Sequence, residues 1–445
     1  MTDDSAAPEP VQPELVQIVT TDLVALTCGR SVAADDEAAW RRTGVGWVPA
    51  NLALTPFGDI ADPNPFGASG DLRLRPDPAT RIRVVAGPGR PPLHLVLADI
   101  AELDGSDWAC CPRAFLRRAL ADLDAAGLQL AVAFEQEFTL AGLPGPPAPS
   151  FSLAAHRRAE PLLTRLFAAL RAAGAEPETI LPEYGLEQFE ITCRPTHALA
   201  AADRAVIIRA VVRDLATAAG ITPSFSPKPA PDGVGSGVHV HVSLRDRAGH
   251  PLTYDPARPG ALSATAGQFA AGVLRHLPAL CALAAPSPVS YLRLAPHHWS
   301  AAYACLGERN REAALRICPL PATVADPARS FNLEFRVADA TANPYILLGA
   351  LVRAGLEGLR ARLPDPPLVN ADPSALSEAE RARLGVARLP TSLADALAAL
   401  AADATVCGWF APDLLAAFRG VKQAEIARTA ELTPTELCDK YRAVY

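Results

Sequence analysis

Apolar and polar positions divide the chain into two unequal regions. Up to about residue 99, short runs of alternating or continuous apolar residues dominate. They predict strands at 15–18, 23–26, 46–54, 71–74, 81–85 and 94–98. A stretch rich in Pro, Gly, Asp and Asn, residues 55–70, interrupts them as a long loop. Beyond residue 111, helical periodicity and Ala-rich runs take over. Helices are predicted at 112–126, 152–173, 197–219, 263–283 and 344–360, the first opened by Pro112 and closed by Gly127. Extended pieces lie between them at 128–138, 180–192, 238–243 and 331–337, with loop and strand at 290–316 and helical pattern again from 389. The pattern is α+β. It predicts a small, mostly β N-terminal domain (14–100) and a larger domain (101–445). An acidic, Pro-rich tail (1–13) precedes them and is expected to be disordered.

Composition narrows the function classes. At 445 residues, half of them apolar, the chain exceeds one ordinary core, so two domains are expected. A net charge of −7 leaves no basic footprint for nucleic acid. The most apolar helical stretch, 264–285, is broken by Arg275 and His276, so no membrane span is expected. The nine cysteines are scattered, and no Cys-x-x-Cys occurs, which disfavours a disulfide framework or a thiolate zinc site. No export signal is visible, and a cytoplasmic protein is the expectation.

Candidate chemistry centres on Gly235-Ser-Gly-Val-His-Val-His-Val-Ser243. Val238, Val240 and Val242 alternate with His239, His241 and Ser243, so the polar groups share one strand face. Glu135 and Glu137 share a face in the same way, opposite Phe134, Gln136 and Phe138. Glu183, Glu190 and Glu334 also lie in extended segments. Taken singly, each Glu reads as a solvated surface residue. Converging, five carboxylates would cost several kcal/mol apiece unless compensated, and divalent cations can compensate them. Oxygen donors with an imidazole suit Mg²⁺ or Mn²⁺, and two such cations would serve phosphoryl transfer.

Seven ordered segments resemble glutamine synthetase of type I. They are Phe134-Glu-Gln-Glu-Phe138, Glu183-Tyr-Gly-Leu-Glu-Gln-Phe-Glu190, Phe225-Ser-Pro-Lys-Pro229, Gly235 to His241, Tyr291-Leu-Arg-Leu-Ala-Pro296, Asn310 to Arg316, and Glu334-Phe-Arg336 leading to Asn343-Pro-Tyr345. The resemblance implies a β-grasp N-terminal domain, a catalytic domain on an antiparallel sheet, and homo-oligomers built as hexamer rings or dodecamers. It also implies an ATP-dependent ligase using two Mg²⁺ or Mn²⁺ ions. Glu137, Glu183 and Glu190 match the first metal site; Glu135, His239 and Glu334 match the second. Nucleotide contacts would come from Glu178, His241, Ser243, Arg311, Arg316 and Arg329. Glutamate contacts would come from Gly235, Arg293, Arg311 and Arg336. Arg293, Arg311 and Trp299 would stand at the reacting groups.

The departures concern the amine. Ammonia-using members carry Asp-Gly-Ser-Ser in the N-terminal domain and a flap Glu after the arginine motif. Here the 55–65 loop lacks the first, and Trp299 replaces the second. Both losses remove negative charge, and Trp299 supplies an apolar, cation-attracting face. The pattern is similar to the γ-glutamylpolyamine and γ-glutamylethanolamide synthetases, so an organic amine is the expected acceptor. The alternatives are an ordinary ammonia-using enzyme and a non-catalytic assembly. An alkylammonium is neutral only about once in 2,500 at pH 7, so a base is needed; Asp59, Asp62, His297 and His298 are candidates. Val234 and Asn332 also stand where the family often has Asn and Arg, and Leu186-Glu187 where it has Pro-Gly.

Overall fold

A computed structural model describes residues 13–87 and 89–445; the acidic tail lies outside the described residues except for Pro13. Strands Leu15–Thr21 and Thr27–Ala33 form a hairpin. The first of them also runs parallel to Leu93–Ala101 at the centre of a six-stranded sheet, with Gln17 opposite Leu95. Val45–Trp47, Leu72–Pro76 and Ile82–Val84 complete the sheet, and helix Glu37–Thr43 packs on it, giving the expected β-grasp arrangement.

Two predictions fail here for local reasons. Residues 23–26 form a turn, not a strand. The buried Asp22 carboxylate accepts the N–H groups of Val24 at 3.0 Å and Leu26 at 2.8 Å, which bends the chain back. The strand expected over 46–54 stops at Trp47, and Pro49–Ala53 closes a 3₁₀ turn with Pro at its start.

The larger domain holds two sheets. In the seven-stranded sheet, Val240–Asp246 lies between Leu128–Phe134 and Leu333–Phe335; Ala313–Ile317 and Tyr303–Glu308 follow, with short edges at Thr196–His197 and Ala387–Arg388. It is antiparallel except where Tyr303–Glu308 runs parallel to Ala313–Ile317. The four-stranded sheet orders as Thr222–Ser224, Gln136–Ala141, Gln188–Cys193, Pro177–Pro182. The strand predicted over 128–138 is therefore two strands in different sheets, and Glu135 is the crossing point. Likewise 180–192 is a hairpin, with 183–187 as its loop.

Helices Pro112–Ala125, Leu153–Ala172, Ala198–Ala218, Ala264–Ala284 and Pro344–Arg360 form close to prediction. The two domains dock through buried polar contacts. Arg113 donates twice to Asp203, each at 2.9 Å, and reaches Asp77 at 2.7 Å. The Asn343 amide donates to the carbonyls of Thr21 and Asp22 at 3.1 and 2.8 Å. Among the described residues no helix is long and apolar enough to cross a membrane.

Candidate active site

The site lies where the two sheets meet. At the crossing, Glu135 N–H donates to His239 O at 2.9 Å and Glu137 N–H to Gly237 O at 3.2 Å. Period-two alternation survives the crossing. Phe134, Gln136 and Phe138 are buried behind, while Glu135 and Glu137 face a cavity of about 420 Å³. Register then assembles the rest. Glu190 stands directly opposite Glu137 in the four-stranded sheet. In the other sheet, His241, Glu334 and Arg316 form a row across three strands. Glu183, at the mouth of the hairpin loop, lines the same cavity. All five carboxylates therefore converge.

The cluster has two electrostatic halves. In one, Glu135 bridges His239 at 3.0 Å and His241 at 2.9 Å. Glu334 accepts from Arg316 at 2.6 Å and from Arg336, with His239 at 3.4 Å. Despite its burial, the nearby Arg336 and both imidazoles hold Glu334 down at about 2. The other half has no ion pair among the described residues, and Arg293 near Glu137 and Arg311 near Glu183 compensate only in part. Burial pushes Glu137 up to about 7, against the Gly237 N–H that donates to it at 2.8 Å. Burial, then Glu135, Glu137 and Glu183, push Glu190 up to about 9. Glu183 is raised by burial too. Like charges facing each other across a strand pair are destabilising unless something cationic sits between them. The donor set of five carboxylates and an imidazole thus fits divalent cations bound through oxygen. His241, predicted for the nucleotide, also enters this cluster: Glu135, His241 and Glu334 offer ligand atoms within 4.8 Å of one another.

The predicted arginines are placed as follows. Arg293 is buried, donates to Val337 O and Arg336 O, each at 3.0 Å, and lines the cavity. Its stem occupies the space that a side chain at Gly235 would need, where a Cβ would stand 2.7 Å from Arg293 Cγ, and its guanidinium crowds Gly237, where a Cβ would stand 2.6 Å from Nη2. Arg311 lines the cavity in an exposed position. Arg336 is committed to protein groups, donating to Glu334, to Arg311 O at 3.0 Å and to Trp299 O at 2.8 Å.

A second cavity, of about 400 Å³, meets the first at Glu135. It brings together four of the predicted nucleotide residues, Glu178, His241, Ser243 and Arg329. Arg316 lies in the first cavity instead. Asn332 also lines the second, and its Oδ1 lies 2.8 Å from His241 Nδ1.

At the mouth, Trp299 is 47% exposed and packs edge-on to Tyr184 at 4.5 Å, which in turn meets Phe151 at 4.7 Å. Its backbone is left-handed (φ 53°), and its N–H donates to Glu312 at 3.0 Å. Sequence reasoning missed Glu312, which also receives the His297 N–H at 3.3 Å and so anchors this loop. It missed Gln188 as well, whose amide ties Gly235 O at 2.8 Å to Ser236 Oγ at 3.1 Å. Of the candidate bases, His298 lines the cavity and His297 its side chamber. Asp59 instead pairs with Arg428 at 2.7 Å, and Asp62 is exposed on the same loop.

A family model described as the glutamine synthetase catalytic domain matches residues 109–440, and one for the glutamine synthetase N-terminal domain matches residues 4–108. The chain belongs to the glutamine synthetase family. It is an ATP-dependent ligase of that family, whose members work with ATP and divalent cations and are typically oligomeric. It is similar to the gamma-glutamylpolyamine synthetase GlnA3 of Streptomyces coelicolor, 34% identical over 92% of this chain and 88% of that protein. It is 33% identical to the glutamine synthetase of Halobacterium salinarum, over 75% of this chain and 74% of that one. Among solved structures, a novel glutamine synthase homolog superposes with a TM-score of 0.91 at 46% identity, covering 99% of this chain and 100% of that one. A GmaS/ADP complex superposes with a TM-score of 0.80 at 27% identity, covering 95% of each.

Proposed function

We propose that this ligase joins the γ-carboxylate of glutamate to an organic amine through γ-glutamyl phosphate. The carrying observation is the mouth of the site. Where a carboxylate would attract ammonium, the chain presents a half-exposed Trp299 stacked edge-on to Tyr184. Such a surface favours an alkylammonium, whose methylenes gain about 0.8 kcal/mol each on burial and whose charge gains a cation–π contact. Similarity to a gamma-glutamylpolyamine synthetase over nearly the whole chain supports the same reading.

ATP would enter the second cavity and glutamate the first, so that the terminal phosphoryl meets the γ-carboxylate beside Glu135. Glu137, Glu183 and Glu190 would hold one divalent cation, and Glu135, His239 and Glu334 the other; bound there, they supply the positive charge that phosphoryl transfer between anions requires. Arg311, exposed in the cavity, adds a further cation. The phosphoryl group leaves ADP and bonds to a γ-carboxylate oxygen. The amine nitrogen then bonds to the γ-carbon, the C–O bond to phosphate breaks, and the nitrogen loses a proton. His298, kept below its ordinary value by burial and then by Lys228, is neutral at pH 7 and free to take it. The subunits are expected to assemble as rings.

The test is phosphate release from ATP with glutamate and Mg²⁺ or Mn²⁺, comparing ammonium with ethanolamine, putrescine, spermidine and alkylamines, with mass detection of the product. Turnover with an organic amine well above ammonium is expected, and Trp299→Ala should lower that preference. Faster turnover with ammonium would overturn the reading.

A further inference from the structure

Beside the main cavity lies a side chamber of about 300 Å³. The two share Tyr184, Val234, Gly235, His298 and Trp299, so a molecule whose nitrogen sits at the reacting centre can extend its other end into the chamber. Lys228 lines it and is 2% exposed. Among the described residues no carboxylate lies within 4.0 Å of its ammonium, and no side-chain hydrogen bond satisfies it. Burial lowers its pKa, Cys438 opposes, Arg293 pushes the same way as burial by less, and the exposed Asp232 opposes least.

The chain shows how it treats a buried lysine that has no ligand to meet. Lys422, 0% exposed, pairs with Glu425 at 2.5 Å. Lys228 has no such partner. Lysine is also scarce here: only Lys228, Lys422 and Lys440 occur, in a chain whose lysines and arginines total 41. The Lys228 stem is buried while its ammonium reaches the chamber without a partner among the described residues, and a bound anion would supply one.

We propose that Lys228 reads the far end of the acceptor: the chamber takes an amine whose other end is a carboxylate and selects against a second ammonium. This rests on the organic-amine reading above and narrows it from polyamines to amino-acid-like acceptors. In the chamber a second ammonium would meet Lys228, against the pull of the rim Asp232 and the faces of Tyr184 and Trp299, whereas a carboxylate would complete the unpaired cation.

Four acceptors of matched length isolate the far end: 4-aminobutyrate, 4-amino-1-butanol, n-butylamine and putrescine. Each is assayed with glutamate, ATP and Mg²⁺, next to ammonium. In the wild type, kcat/KM should be highest for 4-aminobutyrate and lowest for putrescine, by at least about tenfold, the size of one charge-assisted hydrogen bond. Lys228→Met should raise the KM for 4-aminobutyrate about tenfold and collapse the order without moving the KM for glutamate. Lys228→Arg, which keeps the charge, should preserve the order. Putrescine outrunning 4-aminobutyrate in the wild type would overturn the inference while leaving the organic-amine reading standing. A Met variant that moves only the glutamate KM would assign Lys228 to glutamate and overturn it too. Ammonium outrunning all four would overturn the organic-amine reading itself, and this inference with it.

Discussion

Replacing Glu137 with Gln should make the cation-free protein more stable while weakening its response to divalent cations. Glu137 Oε2 accepts both the Gly237 N–H, at 2.8 Å, and the Gln188 amide, at 3.3 Å. A glutamine oxygen can keep both. Its amide nitrogen would replace the other carboxylate oxygen, on the side of Glu135 and Glu183, the neighbouring carboxylates that help raise Glu137. The folded-state value of about 7, against an ordinary 4.5, makes ionised Glu137 cost about 3 kcal/mol at about 1.36 kcal/mol per pH unit. The sign follows from proton linkage. With its pKa raised in the folded state, Glu137 contributes stability that is complete below about 4.5 and is lost as pH rises through about 7. Glu137→Gln should therefore melt higher than wild type in EDTA at pH 8. At roughly 2.1 cal/mol/K per residue the gain is about 3 °C. At pH 5 the difference should fall below about 1 kcal/mol. Saturating Mg²⁺ or Mn²⁺ should raise the wild-type melting temperature by more than the variant's, which keeps only the weaker Glu135, His239 and Glu334 half; a site filled at 100 times its Kd stabilises by about 2.7 kcal/mol. Differential scanning calorimetry at both pH values, with and without cation, reads all four quantities. A variant that melts no higher than wild type in EDTA at pH 8, or that keeps the wild-type cation shift, would refute the reasoning.

Two further outcomes follow from contacts elsewhere. Lys422→Met leaves Glu425 buried without its cation and should cost 3–5 kcal/mol or so in urea melts, with much of the loss recovered in Lys422→Met/Glu425→Gln. Arg336→Lys cannot hold Glu334, Arg311 O and Trp299 O together, so it should lose on the order of 2 kcal/mol and free the Trp299 loop, seen as increased tryptophan quenching by acrylamide.

Much of the site was legible because alternation reports side-chain direction even where the fold is unknown. Val238 to Ser243 placed His239 and His241 on one face, and Glu135 and Glu137 likewise face the cavity. The sheet change at Glu135 was not legible. Both flanking halves alternate without interruption, and only the pairing of Glu135 and Glu137 with His239 and Gly237 reveals it. Strand Thr27–Ala33 was missed because it is an edge strand with no fully buried residue, so it has no apolar stripe to show. Residues 23–26 misled in the opposite way: Leu23, Val24 and Ala25 are buried, but under a turn set by Asp22. Lys228, Gln188 and Glu312 act singly, through contacts distant in sequence, and no periodic pattern could single them out.

The two halves of the carboxylate cluster should load unequally. Glu135 and Glu334 already have Arg316, Arg336, His239 and His241 against them, and Glu334 is held at about 2. A cation arriving there must displace or share contacts that are already favourable. Glu137, Glu183 and Glu190 have no cation within ion-pair distance among the described residues, and two of them are raised to about 7 and about 9. A cation arriving there relieves carboxylate repulsion and, at pH 7, releases protons from groups that still hold them. The first divalent cation should therefore enter the Glu137, Glu183 and Glu190 half, with proton release and an affinity that climbs between pH 6 and 9. The second should bind more weakly, with little proton release. Calorimetric titration with Mn²⁺ in two buffers of different ionisation enthalpy separates the phases: buffer-dependent heat should appear in the tight phase and vanish from the weak one. Proton release confined to the weak phase would mean that the arginine-compensated half loads first, and that burial of Glu190 is not the strain the cation relieves.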